Sequence, residues 1–176
     1  MLNEEVKQIL EESGWYEGRK INIKSHVGIL ENCGFEVFDS AKKFIEEFGD
    51  LDIKVESKVS SISVVIFSTY VKRILEVFNE CNDKDIIMKK YFDLSKHTDE
   101  KVVPIGTLSN GEMIVFITES EKLVTETVIK GDNVVEGLNA IVSRKAGKTW
   151  TEVITADKKQ NFEDIMARLQ NGEIFK

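Results

Sequence analysis

Residues 102–118 read VVPIGTLSNGEMIVFIT and decide the fold class. Two stretches rich in β-branched and aromatic residues flank Ser109-Asn110-Gly111, and Asn-Gly strongly favours a tight turn between two strands. The pattern predicts antiparallel strands over 102–108 and 112–118. Pro104 has no N–H to give to a sheet ladder, so we expect it at a sheet edge or at a bulge. The centre of the chain is therefore predicted to be antiparallel β-structure.

Further strands are predicted on both sides of this hairpin. Ile53 and Val55 alternate with polar residues, and residues 62–67 form an apolar run rich in β-branched side chains. Residues 123–129 follow a polar turn at 119–122 and predict a third strand after the hairpin. Alternation with a period of two is typical of a strand with one buried face.

The first fifty residues predict three short helices that end at Gly14, Gly34 and Gly49. Apolar residues recur at helical spacing before each glycine. A left-handed glycine after a helix lets the next residue pack back on the last turn, which places Trp15 against Leu10. The other predicted elements are, in chain order, a helix at 69–78, a helix at 85–94, a loop at 96–100, a helix opened by the capping pair Asn133 and Glu136, a short strand at 150–154 and a last helix around 162–169.

The order of these elements predicts one domain. We find no internal repeat, low-complexity tract or linker in the sequence. Helices, then strands, then a β-meander and a closing helix are typical of an α+β fold. We expect a single α+β domain with a largely antiparallel sheet of about five to six strands, covered by N-terminal and C-terminal helices.

The charge distribution gives the first functional indication. The chain carries 24 basic and 31 acidic residues, and residues 1–56 hold 13 of the acids but only 7 of the bases. An acidic surface repels phosphate backbones and attracts basic proteins. The basic clusters, such as Arg144-Lys145, are short and lack interleaved aromatic residues. We therefore expect a protein partner and no nucleic acid.

The sequence favours a cytoplasmic protein that does not bind a membrane. No apolar run approaches the roughly 20 residues of a membrane helix, and the acidic start of the chain lacks the positive region of a secretory signal. Cys33 and Cys81 are too few for a disulfide framework, which favours a reducing compartment.

No catalytic or metal-binding constellation is apparent in the sequence. His26 and His97 lie in separate segments, and neither has the spacing of a metal-ligand pair. The nucleophile elbow G-x-S-x-G and a complete phosphate-binding loop are both absent. Adjacent carboxylates such as Glu46-Glu47 do not face each other on a helix, so they do not form an acid–base pair. We expect no enzyme activity, no cofactor and no metal.

Several segments resemble one family, the third subgroup of the SUKH superfamily of immunity proteins. Residues 12–19, ESGWYEGR, resemble its opening motif, and residues 41–51 resemble its second helical motif. The motif positions are Gly14, Trp15, Arg19, Phe44, Phe48, Gly49, Pro104, Ile105 and Gly106. Residues 131–142 resemble its closing helix, whereas residues 119–122 lack the glycine that the family turn carries.

The resemblance implies a bacterial immunity protein, an antitoxin that binds and neutralises a cognate protein toxin, such as a nuclease or deaminase, in the cytoplasm. It implies a SUKH-like domain over residues 1–150 and a C-terminal extension over 151–176, helical and packed on that domain. Trp15 would pack under the first helix cap, and Arg19 would pair with a nearby acid. The motif phenylalanines and Ile105 would lie in the core, and the motif glycines would meet backbone requirements.

The partner-binding residues are predicted from charge. A nuclease site is basic because it holds phosphate, so an acidic inhibitor can match it. We name as the acidic patch the residues Glu46, Glu47, Asp50, Asp52 and Glu56. A solvated helix face with its exit loop is an equally weighted interpretation of the same residues. The alternative functions are a cytoplasmic adaptor or regulatory scaffold of the superfamily, and a small-molecule-binding protein or enzyme.

Overall fold

The computed structural model describes residues 1–56, 61–66, 94–109 and 113–170. The described helices are α1 (Glu4–Glu12), α2 (Lys24–Asn32), α3 (Asp39–Phe48), α4 (Val134–Val142) and α5 (Trp150–Gln170). The described strands are β1 (Leu51–Glu56), β2 (Ser61–Ile66), β3 (Val102–Leu108), β4 (Met113–Thr118), β5 (Leu123–Val124), β6 (Val128–Gly131) and β7 (Lys148–Thr149). The helices predicted at 69–78 and 85–94 and the turn at Asn110-Gly111 lie outside the described residues, apart from residue 94.

The described strands form one antiparallel sheet in the order β1-β2-β3-β4-β5-β6-β7, so each pairs with its neighbours in the chain. The prediction of an α+β domain with a largely antiparallel sheet is confirmed. The sheet is extended at its end by β7, a strand of two residues that the sequence pattern did not indicate.

The central hairpin pairs β3 with β4, as predicted, with Leu108 opposite Met113 and Val102 opposite Thr118. Its register shifts between Pro104 and Gly106, where the ladder skips one residue. Because β3 lies between β2 and β4, Pro104 is at a bulge in an interior strand rather than on a sheet edge. The residue left out of the ladder is Ile105, so the regular hydrogen-bond pattern is interrupted directly after Pro104, and prolines within sheets are found at such irregularities.

Two apolar cores lie on opposite faces of this sheet. In β4, Val115 and Ile117 belong to the larger core, whereas Phe116 belongs to the smaller one, as alternation along a strand requires. The larger core receives the buried faces of α1, α2, α3 and α4. The smaller core contains Trp150 at the start of α5. The N-terminal helices therefore cover one face of the sheet.

Two glycine endings have the predicted geometry. Gly14 has a φ of 97°, its N–H donates to the carbonyl of Glu11 at 3.0 Å, and the N–H of Trp15 donates to the carbonyl of Leu10 at 2.9 Å. Gly34, with a φ of 91°, ends α2 with the same pair of bonds. These are the two hydrogen bonds of a Schellman motif.

The predicted strand at 123–129 is wrong, because the chain turns at its centre. β5 and β6 are separate strands that pair with each other. The hydroxyl of Thr125 accepts hydrogen bonds from the N–H groups of Thr127 at 3.4 Å and Val128 at 3.2 Å. Threonine and serine favour turns through such bonds, which compete with strand pairing.

The predicted strand at 150–154 is also wrong, since α5 begins at Trp150. The N–H of Glu152 donates to Oγ1 of Thr149 at 3.2 Å, and the N–H of Thr149 donates to Oε2 of Glu152 at 2.7 Å. This is a capping box, and its T-x-x-E signal is present in the sequence. The loop predicted at 96–100 is helical over 96–98, since the described residues 94–98 are helical.

The capping pair predicted before α4 is confirmed. Oδ1 of Asn133 accepts from the N–H of Glu136 at 2.9 Å. Within the described ranges, no helix combines the length and the apolar character that crossing a bilayer would require.

Candidate functional site

The segment after α1 packs against the last turn of α3. Trp15 is 7% exposed, and its ring stacks on Phe48 with centroids 6.1 Å apart and planes that differ by 2°. Its Nε1–H donates to Oε1 of Glu47 at 3.3 Å. A buried indole N–H needs an acceptor of this kind. Trp15 therefore joins the end of α1 to the end of α3.

Arg19 also contacts the C-terminal end of α3. Nη1 of its guanidinium group donates to the backbone carbonyl of Glu47 at 2.7 Å, and the N–H of Ile21 donates to the carbonyl of Glu46 at 2.9 Å. The last carbonyls of a helix have no partner within the helix. A positive charge near them interacts favourably with the negative end of the helix dipole. The expected acidic partner of Arg19 is thus replaced by a main-chain carbonyl.

The residues of the acidic patch lie between the last turn of α3 and the end of β1. Glu46 and Glu47 are half-buried, whereas Asp50 and Asp52 are exposed. Glu56 lies at the end of β1, and its side chain is not among those described. The carboxylate of Glu47 accepts the hydrogen bond from the indole N–H of Trp15, so it also helps to hold α1 against α3. Among the described side chains of the acidic patch, those of Asp50 and Asp52 are the most exposed.

Asp50 makes a contact that the sequence did not indicate. Its Oδ1 lies 3.1 Å from Nε2 of His26, and the His26 side chain is 12% exposed. The two residues are far apart in the chain, so the pair depends on how α2 packs beside α3.

The turn between α3 and β1 depends on Gly49 through crowding. Its φ is −59°, and the left-handed position is instead taken by Asp50 at 60°. A Cβ on Gly49 would clash with the carbonyl oxygen of Ile45 and lie 2.9 Å from Cδ1 of Ile21. Glycine is required here because the helix end and the Arg19–Ile21 segment approach each other closely.

An open groove runs beside the acidic patch, between the end of α1 and the outer face of β1. It has a volume of ≈ 620 Å³ and is lined by Ile9, Glu12, Ser13, Asp52 and Lys54. Asp52 and Lys54 alternate with the buried residues of β1, so they point away from the core. The groove therefore carries both charge signs, with the acids in excess.

A comparison with protein families identifies the family of the chain. A family model described as SUKH-3 immunity protein matches residues 2–144, which include the Trp15 segment, α3 and the β3–β4 hairpin. The chain belongs to the SUKH-3 immunity protein family. No curated protein and no solved structure matches it. The SUKH-3 match ends before β7 and α5.

The SUKH-3 motif residues of this chain build its scaffold. Phe44 and Phe48 are buried, with ring centroids 5.1 Å apart. Pro104, Ile105 and Gly106 form the bulge of β3, and Ile105 lies in the larger core. These residues hold α3 against the sheet and set the register of its central hairpin.

The described part of this SUKH-3 protein contains no group of three or more His, Cys, Asp or Glu side chains placed to hold a metal ion. Cys33 is a buried free thiol, and Cys81 lies outside the described residues. Hydrogen bonds from the backbone and hydroxyl of Thr149 lower the pKa of Glu152, which belongs to the helix cap. Burial lowers the pKa of Lys130 on β6, the strand that pairs with β7. The pKa shifts of Glu152 and Lys130 have separate causes, hydrogen bonding at the cap and burial on the strand.

Proposed function

We propose that this SUKH-3 protein neutralises a cognate toxin by binding it stoichiometrically in the bacterial cytoplasm. The family match over residues 2–144 carries the proposal. The toxin we propose is a basic nuclease or nucleic-acid deaminase, because a site that holds phosphate is positive and the exposed acids of the chain would complement it. The chain itself would act by binding and would perform no catalysis.

The proposal is tested with a candidate toxin domain, taken from the product of a neighbouring gene. Co-expression in a bacterial host is expected to restore growth that the toxin domain alone stops. The purified chain is expected to form a one-to-one complex, measured by size-exclusion chromatography with light scattering. A toxin domain that keeps its full activity in the presence of excess chain would contradict the proposal.

We further propose that Asp50 and Asp52 provide the attractive part of the acidic patch. Both are exposed, whereas Glu46 and Glu47 are half-buried. Charges at the rim of an interface act mainly on the association rate, and salt screens them over about 8 Å at physiological ionic strength.

The double variant Asp50→Asn with Asp52→Asn tests this surface. Asparagine tolerates the left-handed φ of 60° at position 50, so the turn is expected to persist. The control, Glu4→Gln with Glu5→Gln, removes the same charge from exposed positions on α1. The aspartate variant should bind the toxin domain more slowly than the control at low salt, and the difference should shrink as salt rises. Equal association rates for the two variants would remove this surface from the proposal.

A further inference from the structure

A small pocket lies where the end of α4 meets the sheet. Its volume is ≈ 160 Å³, and its apolar side chains include Leu108, Met113 and Ile141. Among the described residues, the charged side chains that line it are Lys130, Arg144 and Lys145, and none of the described lining residues is acidic. Three converging positive charges are unusual in a chain with a net charge of −7. We call this the basic pocket.

Lys130 reaches the basic pocket from β6. Its neighbour Ile129 belongs to the smaller core, so alternation along the strand directs Lys130 to the opposite face, where α4 packs. The residue is half-buried, and burial lowers the pKa of its ammonium group. Within the described residues, no carboxylate forms an ion pair with Lys130 to offset that burial.

Arg144 occupies a position that the same chain elsewhere gives to glycine. The N–H of Arg144 donates to the carbonyl of Ile141 at 3.2 Å, and the N–H of Lys145 donates to the carbonyl of Ala140 at 2.8 Å. This is the Schellman ending that Gly14 also makes, but Arg144 adopts it with a φ of 56°. A left-handed conformation strains a residue that has a Cβ, and such strain is concentrated at functional sites.

The helix dipole explains only part of this arrangement. Cations just beyond a helix C-terminus are favourable, which accounts for Arg144 and Lys145. The helix dipole does not account for Lys130, which lines the same pocket from a strand. It also does not account for the apolar side chains that line the pocket together with the three charges.

We propose that the basic pocket binds a small organic anion, a carboxylate with a short apolar stem. The stem would lie against Leu108, Met113 and Ile141, and the carboxylate would meet the three cations at the mouth. The volume is below the 300–1,000 Å³ typical of pockets for larger ligands, which favours a small ligand over a nucleotide. The carboxylate belongs either to a free small molecule or to the end of a protein chain. This proposal goes beyond toxin neutralisation and does not depend on it.

The test uses the full chain and NMR titration of its backbone amides with hexanoate. Hexanol and hexylamine are the neutral and cationic controls of equal length. Hexanoate is expected to shift the amide signals of Met113, Ile141 and Arg144 in a saturable way, whereas the two controls are not. Absence of a saturable shift with hexanoate, or equal shifts with hexanol, would overturn the proposal.

Variants separate the basic pocket from general charge. Lys130→Gln and Arg144→Gln are each expected to weaken hexanoate binding about tenfold, as loss of one charged hydrogen bond predicts. The control Lys148→Gln removes a lysine that pairs with Asp132 outside the pocket, and it should bind as the parent does. Equal weakening by all three variants would overturn the assignment to this pocket.

Two further measurements complete the test. Arg144→Gly restores glycine at the left-handed position, so it should melt no lower than the parent while losing hexanoate binding. Binding retained in this variant would overturn the role of Arg144. Acetyl-Gly-Leu with a free carboxylate is compared with its amide. Tighter binding of the free peptide than of hexanoate assigns the basic pocket to a protein chain end, and weaker binding assigns it to a small molecule.

Discussion

Glu100 holds together the turn in which the sequence departs from the family pattern. Its Oε1 accepts from Nζ of Lys122 at 2.9 Å and from Oγ of Ser120 at 2.8 Å, and its Oε2 accepts from the N–H of Ser120 at 2.8 Å. Glu121 takes the left-handed conformation, with a φ of 69°, in the turn that lacks a glycine. The carboxylate of Glu100 therefore ties the β4–β5 turn to the start of β3.

We expect Glu100→Gln to destabilise the fold by about 1–2 kcal/mol at pH 7, because it removes the charge from three hydrogen bonds but keeps the shape of the side chain. The Glu100 side chain is 19% exposed, so solvent screens it only in part. For a chain of this length, the loss corresponds to a fall in Tm of about 2–8 °C.

The effect should depend on pH in a defined direction. Burial raises the pKa of Glu100, but the hydrogen bonds from Lys122 and Ser120 together lower it below its ordinary value of 4.5. A carboxylate with a lowered pKa in the folded state stabilises the fold above its unfolded-state pKa. That stabilisation is lost as the pH falls through the folded-state pKa. The difference between parent and Glu100→Gln should therefore shrink in acid.

Urea unfolding, followed by tryptophan fluorescence at pH 7 and at the lowest pH where the parent still folds, measures both quantities. Glu121→Gln is the matched control, since it removes the same charge from an exposed residue of the same turn. A free energy of unfolding that Glu100→Gln changes no more than Glu121→Gln does would refute the reasoning. So would an equal loss at both pH values.

Two other substitutions follow from the packing. Gly137→Ala would bring a Cβ to 2.6 Å from the buried side chain of Leu123, so we expect a loss of about 1–3 kcal/mol in the free energy of unfolding. Gly28→Ala on α2 meets nothing within 4 Å and should instead gain about 0.5–1 kcal/mol, and the opposite order in urea unfolding would contradict the described packing. Trp15→Phe keeps a ring beside α3 but leaves Glu47 without the indole N–H, so a Tm lower by about 1–5 °C is expected. An unchanged Tm would show that this bond does not stabilise the fold.

Local patterns account for the parts of the fold that the sequence predicted. The Schellman ending at Gly14, the hairpin strands around residues 109–111 and the cap at Asn133 each depend on residues a few positions apart. The cap at Thr149 depends on an equally local signal, but the β-branched run after Trp150 favoured a strand. The two reciprocal hydrogen bonds between Thr149 and Glu152 start a helix there despite the strand propensity of the residues after Trp150.

The contacts of the candidate sites could not be predicted in the same way. The pair of His26 with Asp50, the bond from Trp15 to Glu47 and the approach of Lys130 to the end of α4 all join residues that are distant in the chain. Their side chains meet only once the helices have packed on the sheet. The acidic patch was inferred from charge density alone, and its role in binding stays a prediction.

The residues that identify the family and the residues proposed to bind a partner divide between the inside and the outside of the fold. Trp15, Phe44, Phe48 and Ile105 are buried, so they cannot contact a toxin without unfolding. What they determine is where α3 ends and how β1 begins, and that junction is where Asp50 is exposed. Because the buried motif residues and the exposed junction are separate, residues at the junction can be exchanged without disturbing the core. Under the proposed toxin binding, exchange of the residues around Asp50 between two SUKH-3 chains should therefore change which toxin is bound without changing Tm by more than a few degrees.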